Sequence, residues 1–287
     1  MTRLPDPLPA GLPARLPNLT RPTVLVFAGL DPSGGAGLAA DVLAIAAMGA
    51  HALPVATAIT VQDNDRVYDV SALDAGLVER QAMALTRKMQ IHAVKLGIPG
   101  SAANAAAIAR VIRALRERHP ALPVVLDPVL ASGHGDDLTP LAALELLLPL
   151  ASLVTPNLPE AALLAACAGG VREQGSTLRQ RYRGEVLITG GHAVDDAGNR
   201  VVNRWFGPDG ERVWSWPRLA GAFHGSGCTL AAAIAARLAC GDAMGAALDA
   251  AQSFTHEALA GSFSIACGQR IPARSRTGAQ LRTEQFI

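Results

Sequence analysis

Aromatic residues are scarce in this chain. Phe, Trp and Tyr together make up 4% of it, too little to build the stacking platforms that hold single-stranded nucleic acid. Charge is equally thin: charged residues contribute 17% and the net charge is +1, which leaves no electrostatic footprint for nucleic acid or an anionic membrane surface. The four cysteines, Cys167, Cys228, Cys240 and Cys267, show neither paired metal-ligand spacing nor the density of a disulfide framework. They read as free thiols and point to a reducing, cytoplasmic setting. Long apolar runs are missing too. Leu141–Leu153 comes nearest to a membrane span, but it is short and carries Glu145 and Pro149, and prolines interrupt the N-terminal stretch where a signal peptide needs an apolar core. These absences leave a small molecule as the expected partner. A hydrophobic fraction of 50% over 287 residues supplies ample core to surround its site.

What is present is organised around Ala222–Leu230 (AFHGSGCTL), which runs directly into the alanine-rich segment 231–239. Two glycines among small residues at a helix start let the backbone approach a ligand, and the first N–H groups of a helix have no intrahelical partner. Gly225, Ser226, Gly227 and Cys228 therefore read as an anion hole for a phosphate or a phosphoryl transition state, with Cys228 at its mouth, where the helix dipole favours a thiolate. A glycine-rich turn that merely packs a helix on a sheet fits the same residues.

The remaining chain alternates strand and helix. Residues 1–22 carry repeated prolines and read as a mobile leader. Thr23–Gly29 (TVLVFAG) reads as a strand buried on both faces, followed by the loop Leu30–Gly37 (LDPSGGAG) and a helix from about Leu38 to Met48. The loop lacks the Lys of a Walker A motif and the G-x-G-x-x-G spacing of a dinucleotide site, and Asp31 or Ser33 can serve as a helix cap. Strands are predicted at Ala52–Ala58, His92–Leu96, Val124–Leu126, Leu153–Thr155 and Glu185–Thr189, with a polar, turn-rich segment after the second and a short exposed flap strand near Val67–Ala72. Helices are predicted from Asp74 to Met89, after the Ser101 cap to Arg118, from Thr139-Pro140 to Leu148, and from Asn157, where Glu160 three residues on completes a capping box. Val201–Phe206 and Val213–Trp216 form a β-hairpin packed by Trp205, Trp214 and Trp216. The order implies one three-layer α/β domain over 23–268, followed by a polar tail, 269–287.

Together these motifs resemble one family. Asp31-Pro32-Ser33-Gly34-Gly35-Ala36-Gly37, Thr57–Gln62 (TAITVQ), Val94–Gly97 (VKLG), Leu126–Val129 (LDPV), Thr155–Glu160 (TPNLPE) and Gly225–Cys228 (GSGC) are similar, in unbroken order over about 23–268, to hydroxymethylpyrimidine/phosphomethylpyrimidine kinases of thiamine biosynthesis. The resemblance implies a ribokinase-like fold, a central mostly parallel sheet flanked by helices, in a homodimer. It implies MgATP-dependent phosphorylation of 4-amino-5-hydroxymethyl-2-methylpyrimidine and then of its monophosphate. It assigns Gln62 to the aminopyrimidine, with Asp41, Val129, Gly29 and Ile98 in the same pocket. Glu160 and Asn157 organise Mg2+, and Asp127, Asn157, Thr189 and Gly191 lie along the ATP phosphates. Cys228, with the Gly225, Ser226 and Gly227 amides, carries catalysis. The chain departs from the family pattern at Ser226, Leu30, Ile98 and Thr189, and segment 131–137 is poor in positive charge. A pyridoxal kinase, a non-catalytic pyrimidine-binding protein and a cysteine hydrolase built on Cys228 are the rival readings; the last needs a histidine base, for which His224 has no recognisable context.

Overall fold

A run such as Thr23–Leu30 (β1) has no polar face to offer water, and in the computed structural model Val24 through Gly29 are buried by helices on both sides. Residues 21–130, 138–191 and 199–275 are described. The expectations that fall on the leader 1–20, the 131–137 loop, His192 and the end of the tail lie outside them.

The strands after β1 are β2 (His51–Gln62), β3 (Val67–Ala72), β4 (Ala93–Leu96), β5 (Val124–Leu126), β6 (Leu153–Val154), β7 (Glu185–Ile188), β8 (Arg200–Gly207) and β9 (Gly210–Pro217). They form a nine-stranded sheet in the order β3-β2-β1-β4-β5-β6-β7-β8-β9. Six strands, β1, β2 and β4 to β7, run parallel; β3 and the β8–β9 hairpin are antiparallel edges. The helices are α1 (Gly37–Ala47), α2 (Ala75–Thr86), α3 (Ala102–Arg118), α4 (Leu141–Leu147), α5 (Leu158–Ala165), α6 (Val171–Tyr182), α7 (Ser226–Ala239) and α8 (Met244–Ala260). α1, α7 and α8 pack on one face through an alanine-rich layer, and α2 to α6 pack on the other through Leu, Ile and Val. This is the three-layer architecture that the alternation of strands and helices implies, and it agrees with the ribokinase-like fold that the resemblance implies. Among the described residues no helix is long and apolar enough to cross a membrane.

The sheet order reverses at β1, whose neighbours β2 and β4 are reached by connections on opposite sides. Such a switch point opens a crevice at the carboxyl ends of the strands, where Gly29 is the last residue but one of β1 and Gly97 directly follows β4.

Four local expectations change. β2 continues to Gln62 instead of ending at Ala58, because Ile59 and Val61 pair with Ser71 and Asp69 of the flap strand β3. The helix after Thr139 is capped by Pro140 and begins one residue later, with no side-chain capping bond. α6 is a helix that the sequence pattern does not announce, because its polar sequence hides the narrow buried stripe of Gln174, Gly175, Leu178 and Tyr182. The packed chain also runs past the boundary at 268: Phe263 pairs with Ile271, Phe223 with Arg270, and Arg274 is buried.

Candidate active site

The first glycine loop is built by one carboxylate. Asp31 accepts the Ser33 N–H (2.8 Å), the Ser33 hydroxyl (2.9 Å) and the Ala36 N–H (2.7 Å), so it folds the loop on itself instead of capping α1, whose cap position is Ala36. Its Oδ2 also meets His224 Nε2 at 2.8 Å. Burial raises the Asp31 pKa, but the bonds from His224, Ser33 and Ala36 outweigh it and hold the carboxyl below its ordinary value. His224 is thereby engaged with Asp31, and the bond from its ring to Cys228 that the hydrolase reading requires is not formed among the described residues.

The second glycine loop meets the first edge to edge. Gly225 caps α7 with φ 75°, and a Cβ there would stand 2.1 Å from the Gly35 carbonyl, so both the conformation and the approach require glycine. No side chain caps α7. Gly225 through Cys228 line a cleft of about 880 Å³, with the N-terminal amides of the helix unclaimed. Gly227 faces Asp127: a Cβ at Gly227 would lie 3.6 and 3.7 Å from the two carboxylate oxygens.

Beneath that helix end lies an acidic corner. Asp127, 5% exposed, lines the cleft with its Oδ2 buried and unpartnered. Burial and the nearby Asp41 lift its pKa to about 6 against the pull of Lys95 and a hydrogen bond from the Cys228 thiol. Glu160 completes the expected capping box, exchanging 2.9 Å bonds with Asn157, and its Oε1 accepts the Leu130 N–H at 3.3 Å. Burial and the charge of Asp127 push it to about 7. Lys95 and Asp41 form a fully buried ion pair at 2.9 Å. Burial alone would lower Lys95, but Asp41, Cys228 and Asp127 raise it, so it stays charged.

Two expectations are corrected here. Asp41 does not line the cleft; it sits behind Lys95, which does. Cys228 opens to the cleft but is set deep among protein atoms. Burial, with Asp127 and Asp41 adding to it, pushes the thiol up to about 12, against Lys95, so the lowered pKa expected from the helix end is reversed.

The remaining walls are neutral. Gln62 lines the cleft and donates from Nε2 to Thr60 Oγ1 (2.6 Å), whose hydroxyl donates to the Leu30 carbonyl (2.9 Å). One N–H and the carbonyl oxygen of Gln62 are left for a ligand. Gly29, Ile98 and Val129 line the same cleft, and a Cβ at Gly29 would stand 2.6 Å from Ile98 Cδ1. Leu30 is not among the lining residues, so its departure from the family pattern does not shape the wall.

Thr189, bridged to Asn157, and Gly191 lie farther along the sheet edge, also on the cleft. Sequence reasoning missed their neighbours. Asn203 accepts the Gly190 N–H (3.0 Å) and donates to Gln252 (2.9 Å), and Trp216 stacks on His256 with ring centroids 5.1 Å apart. Trp216 was expected only to pack the hairpin. The i, i+2 spacing that sends Trp214 to Asp249 and Trp216 to His256, both on α8, was the available signal.

The chain matches the family model described as phosphomethylpyrimidine kinase over residues 31–272. It is 35% identical over 269 residues to the hydroxymethylpyrimidine/phosphomethylpyrimidine kinase of Streptomyces coelicolor, covering 89% of this chain and 95% of that protein. It is 36% identical over 261 residues to the thiamine biosynthesis multifunctional protein ThiED of Corynebacterium efficiens, a match that takes in 88% of this chain but spans only 34% of that longer protein. Among solved structures, phosphomethylpyrimidine kinase from Clostridium difficile superposes with a TM-score of 0.68 at 30% identity, over 82% of this chain and 98% of the other. Pyridoxal kinase from Staphylococcus aureus in complex with AMP-PCP and pyridoxal gives a TM-score of 0.76 at 26% identity, over 89% and 94%.

Proposed function

Because the chain belongs to the phosphomethylpyrimidine kinase family, we propose that it uses ATP to phosphorylate 4-amino-5-hydroxymethyl-2-methylpyrimidine and then its monophosphate, giving the diphosphate from which thiamine is made. The observation that carries the reading is the juxtaposition of an uncapped helix N-terminus with the orphaned carboxylate of Asp127, in one cleft with the half-free amide of Gln62. A phosphoryl group in transfer spreads charge over its oxygens, so unclaimed amides are its natural partners. A neutral aminopyrimidine presents a donor beside an acceptor, which the remaining N–H and C=O of Gln62 match.

The proton of the substrate hydroxyl has a route. Cys228 is a neutral thiol set beside Asp127, so it can take the hydroxyl proton while passing its own to the Asp127 carboxylate; the hydroxyl oxygen then attacks the phosphoryl phosphorus as the bond to the nucleoside diphosphate breaks. Lys95 supplies fixed positive charge at the same corner. Thr189, Gly191 and Asn157 line the phosphate path, and the Trp216–His256 stack offers a flat wall to the nucleotide base.

Mg2+ fits the donor set. No group of three or more His, Cys, Asp or Glu able to hold a metal occurs among the described residues, but Mg2+ takes one or two carboxylates and completes its shell with water and phosphate. Asp127, with its orphaned oxygen, and Glu160, raised by the charge of Asp127, are the two that would hold it. Bound there, the ion neutralises phosphate charge. We read the chain as a cytoplasmic homodimer; light scattering at twice the 29.6 kDa chain mass checks the dimer.

The test of function is ADP release by purified protein with hydroxymethylpyrimidine, its monophosphate and pyridoxal. Turnover of both pyrimidines, with kcat/KM at least about tenfold above pyridoxal, is expected. A preference for pyridoxal overturns the substrate, and ligand binding without ADP release overturns the kinase.

A further inference from the structure

A guanidinium is buried directly behind the amides of α7. Arg274 is 2% exposed, does not line the cleft, and lies beyond residue 272, where the family match ends. Its Nη2 donates to the carbonyls of Gly35 (2.6 Å), Gly225 (3.3 Å) and His224 (3.4 Å), and its Nε to Thr229 Oγ1 (2.8 Å). The Thr229 hydroxyl in turn donates to the Gly225 carbonyl at 2.7 Å. Nη1 is buried without a partner.

In a trans peptide the C=O and the next residue's N–H point in opposite directions, and the described chain has no cis bond. Three carbonyls gathered on one cation therefore turn the N–H groups of Ala36, Gly225 and Ser226 away from it. That of Ala36 goes to Asp31 Oδ2. Those of Gly225 and Ser226 are turned to the side that both residues share with the cleft and Arg274 does not. A positive charge at the oxygen end of a peptide also polarises its N–H into a stronger donor.

We propose that Arg274 is a positioning residue for phosphoryl transfer: it aligns and polarises the Gly225 and Ser226 amides and stands as a buried positive charge behind them. A residue needed only to join the two loops would avoid the desolvation cost of a buried guanidinium, which apolar side chains of similar volume do not carry. The inference rests on the kinase reading above, and its test separates the two.

Arg274→Met keeps the stem and removes the charge. Its kcat on hydroxymethylpyrimidine should fall about 10- to 100-fold, somewhat less than the loss of an oxyanion donor itself, because the charge acts through the amides. KM for the pyrimidine and Kd for ADP should stay within about threefold, since neither carries the phosphoryl group that the amides would hold. Arg274→Lys restores charge without the fork and should recover part of kcat. A kcat that falls only in step with the folded fraction, with Lys no better than Met, overturns the proposal. Should Arg274→Met fail to fold, Thr229→Val decides: it removes the Nε acceptor while keeping the charge, and an unchanged kcat overturns the alignment. Protection of the wild type against heat by inorganic phosphate needs no turnover. Loss of that protection in Arg274→Met, partly regained in Arg274→Lys, supports the cradle even if the wild type is inactive on every pyrimidine, an outcome that would reject only the kinase reading; equal protection of wild type and Arg274→Met overturns the cradle.

Discussion

The two chemical corners of the cleft are finished to different degrees. At the neutral corner the side chain that holds Gln62 is itself satisfied within the protein: Gln62 donates to Thr60, and Thr60 to the Leu30 carbonyl. At the acidic corner an Asp127 oxygen is buried without a partner, and Asp127 and Glu160 are pushed up to about 6 and about 7. Unpaired buried charge is expensive, so it persists where a ligand completes it. A satisfied pocket recognises a neutral ring by shape and two hydrogen bonds, whereas an unsatisfied one awaits cations, phosphate and a mobile proton.

The hardest blow to that contrast is Asp127→Asn, which removes the orphan charge and the proton acceptor while keeping the shape. Turnover should drop about 100- to 10,000-fold, with pyrimidine affinity nearly unchanged. Near-normal turnover would place the acceptor elsewhere.

Glu160→Gln separates capping from charge. Gln still fills the capping box, so the helix start survives, but turnover should fall roughly tenfold or more and the magnesium requirement should rise. A magnesium titration that overlays the wild type removes the metal role. Stability should move the other way. The Glu160 pKa is about 7 when folded and near its ordinary 4.5 when unfolded. Its contribution is therefore fully present below pH 4.5 and lost as pH rises through 7. Without magnesium, Glu160→Gln should be more stable than the wild type at pH 8, by on the order of 2 kcal/mol, and the gap should close toward pH 5. Thermal melts at the two pH values read this directly.

At the neutral corner, Gln62→Ala should cost about 1–3 kcal/mol of pyrimidine binding, roughly one to two decades, and leave ADP binding untouched. Calorimetry with each ligand checks it, and equal losses for both would dissolve the division of the cleft. Gly29→Ala should do least. Its Cβ would meet Ile98 Cδ1 at 2.6 Å, the movable end of a side chain, so Ile98 should rotate and raise the pyrimidine KM by about three- to tenfold, at a cost on the order of 1 kcal/mol.

Much of this was legible in the residues. The apolar runs at Thr23 and Val124, the Ser101 cap and the Asn157–Glu160 box each carry their own local signal, and each stands where the pattern put it. Asp41 was misassigned because its place on the buried face of α1 is set by Lys95, 54 residues away on β4. The spacing of Trp214 and Trp216 puts them on one face of the hairpin, but that this face meets Asp249 and His256 of α8 is decided by tertiary packing.

The sequence by itself determined the alternation of strands and helices, the glycines where backbones must touch, and the ordered motifs by which the family is known. Those are properties of short segments, governed by periodicity, capping and the absence of a Cβ. Only the tertiary structure decided the charge states and the orientation of the amides. The helix end favours a Cys228 thiolate locally, yet burial with Asp127 and Asp41 reverses it. The tail reads as polar, yet Arg274 lies beneath both glycine loops. Desolvation and Coulomb interactions depend on where every other charge comes to rest, and no window of sequence contains that arrangement.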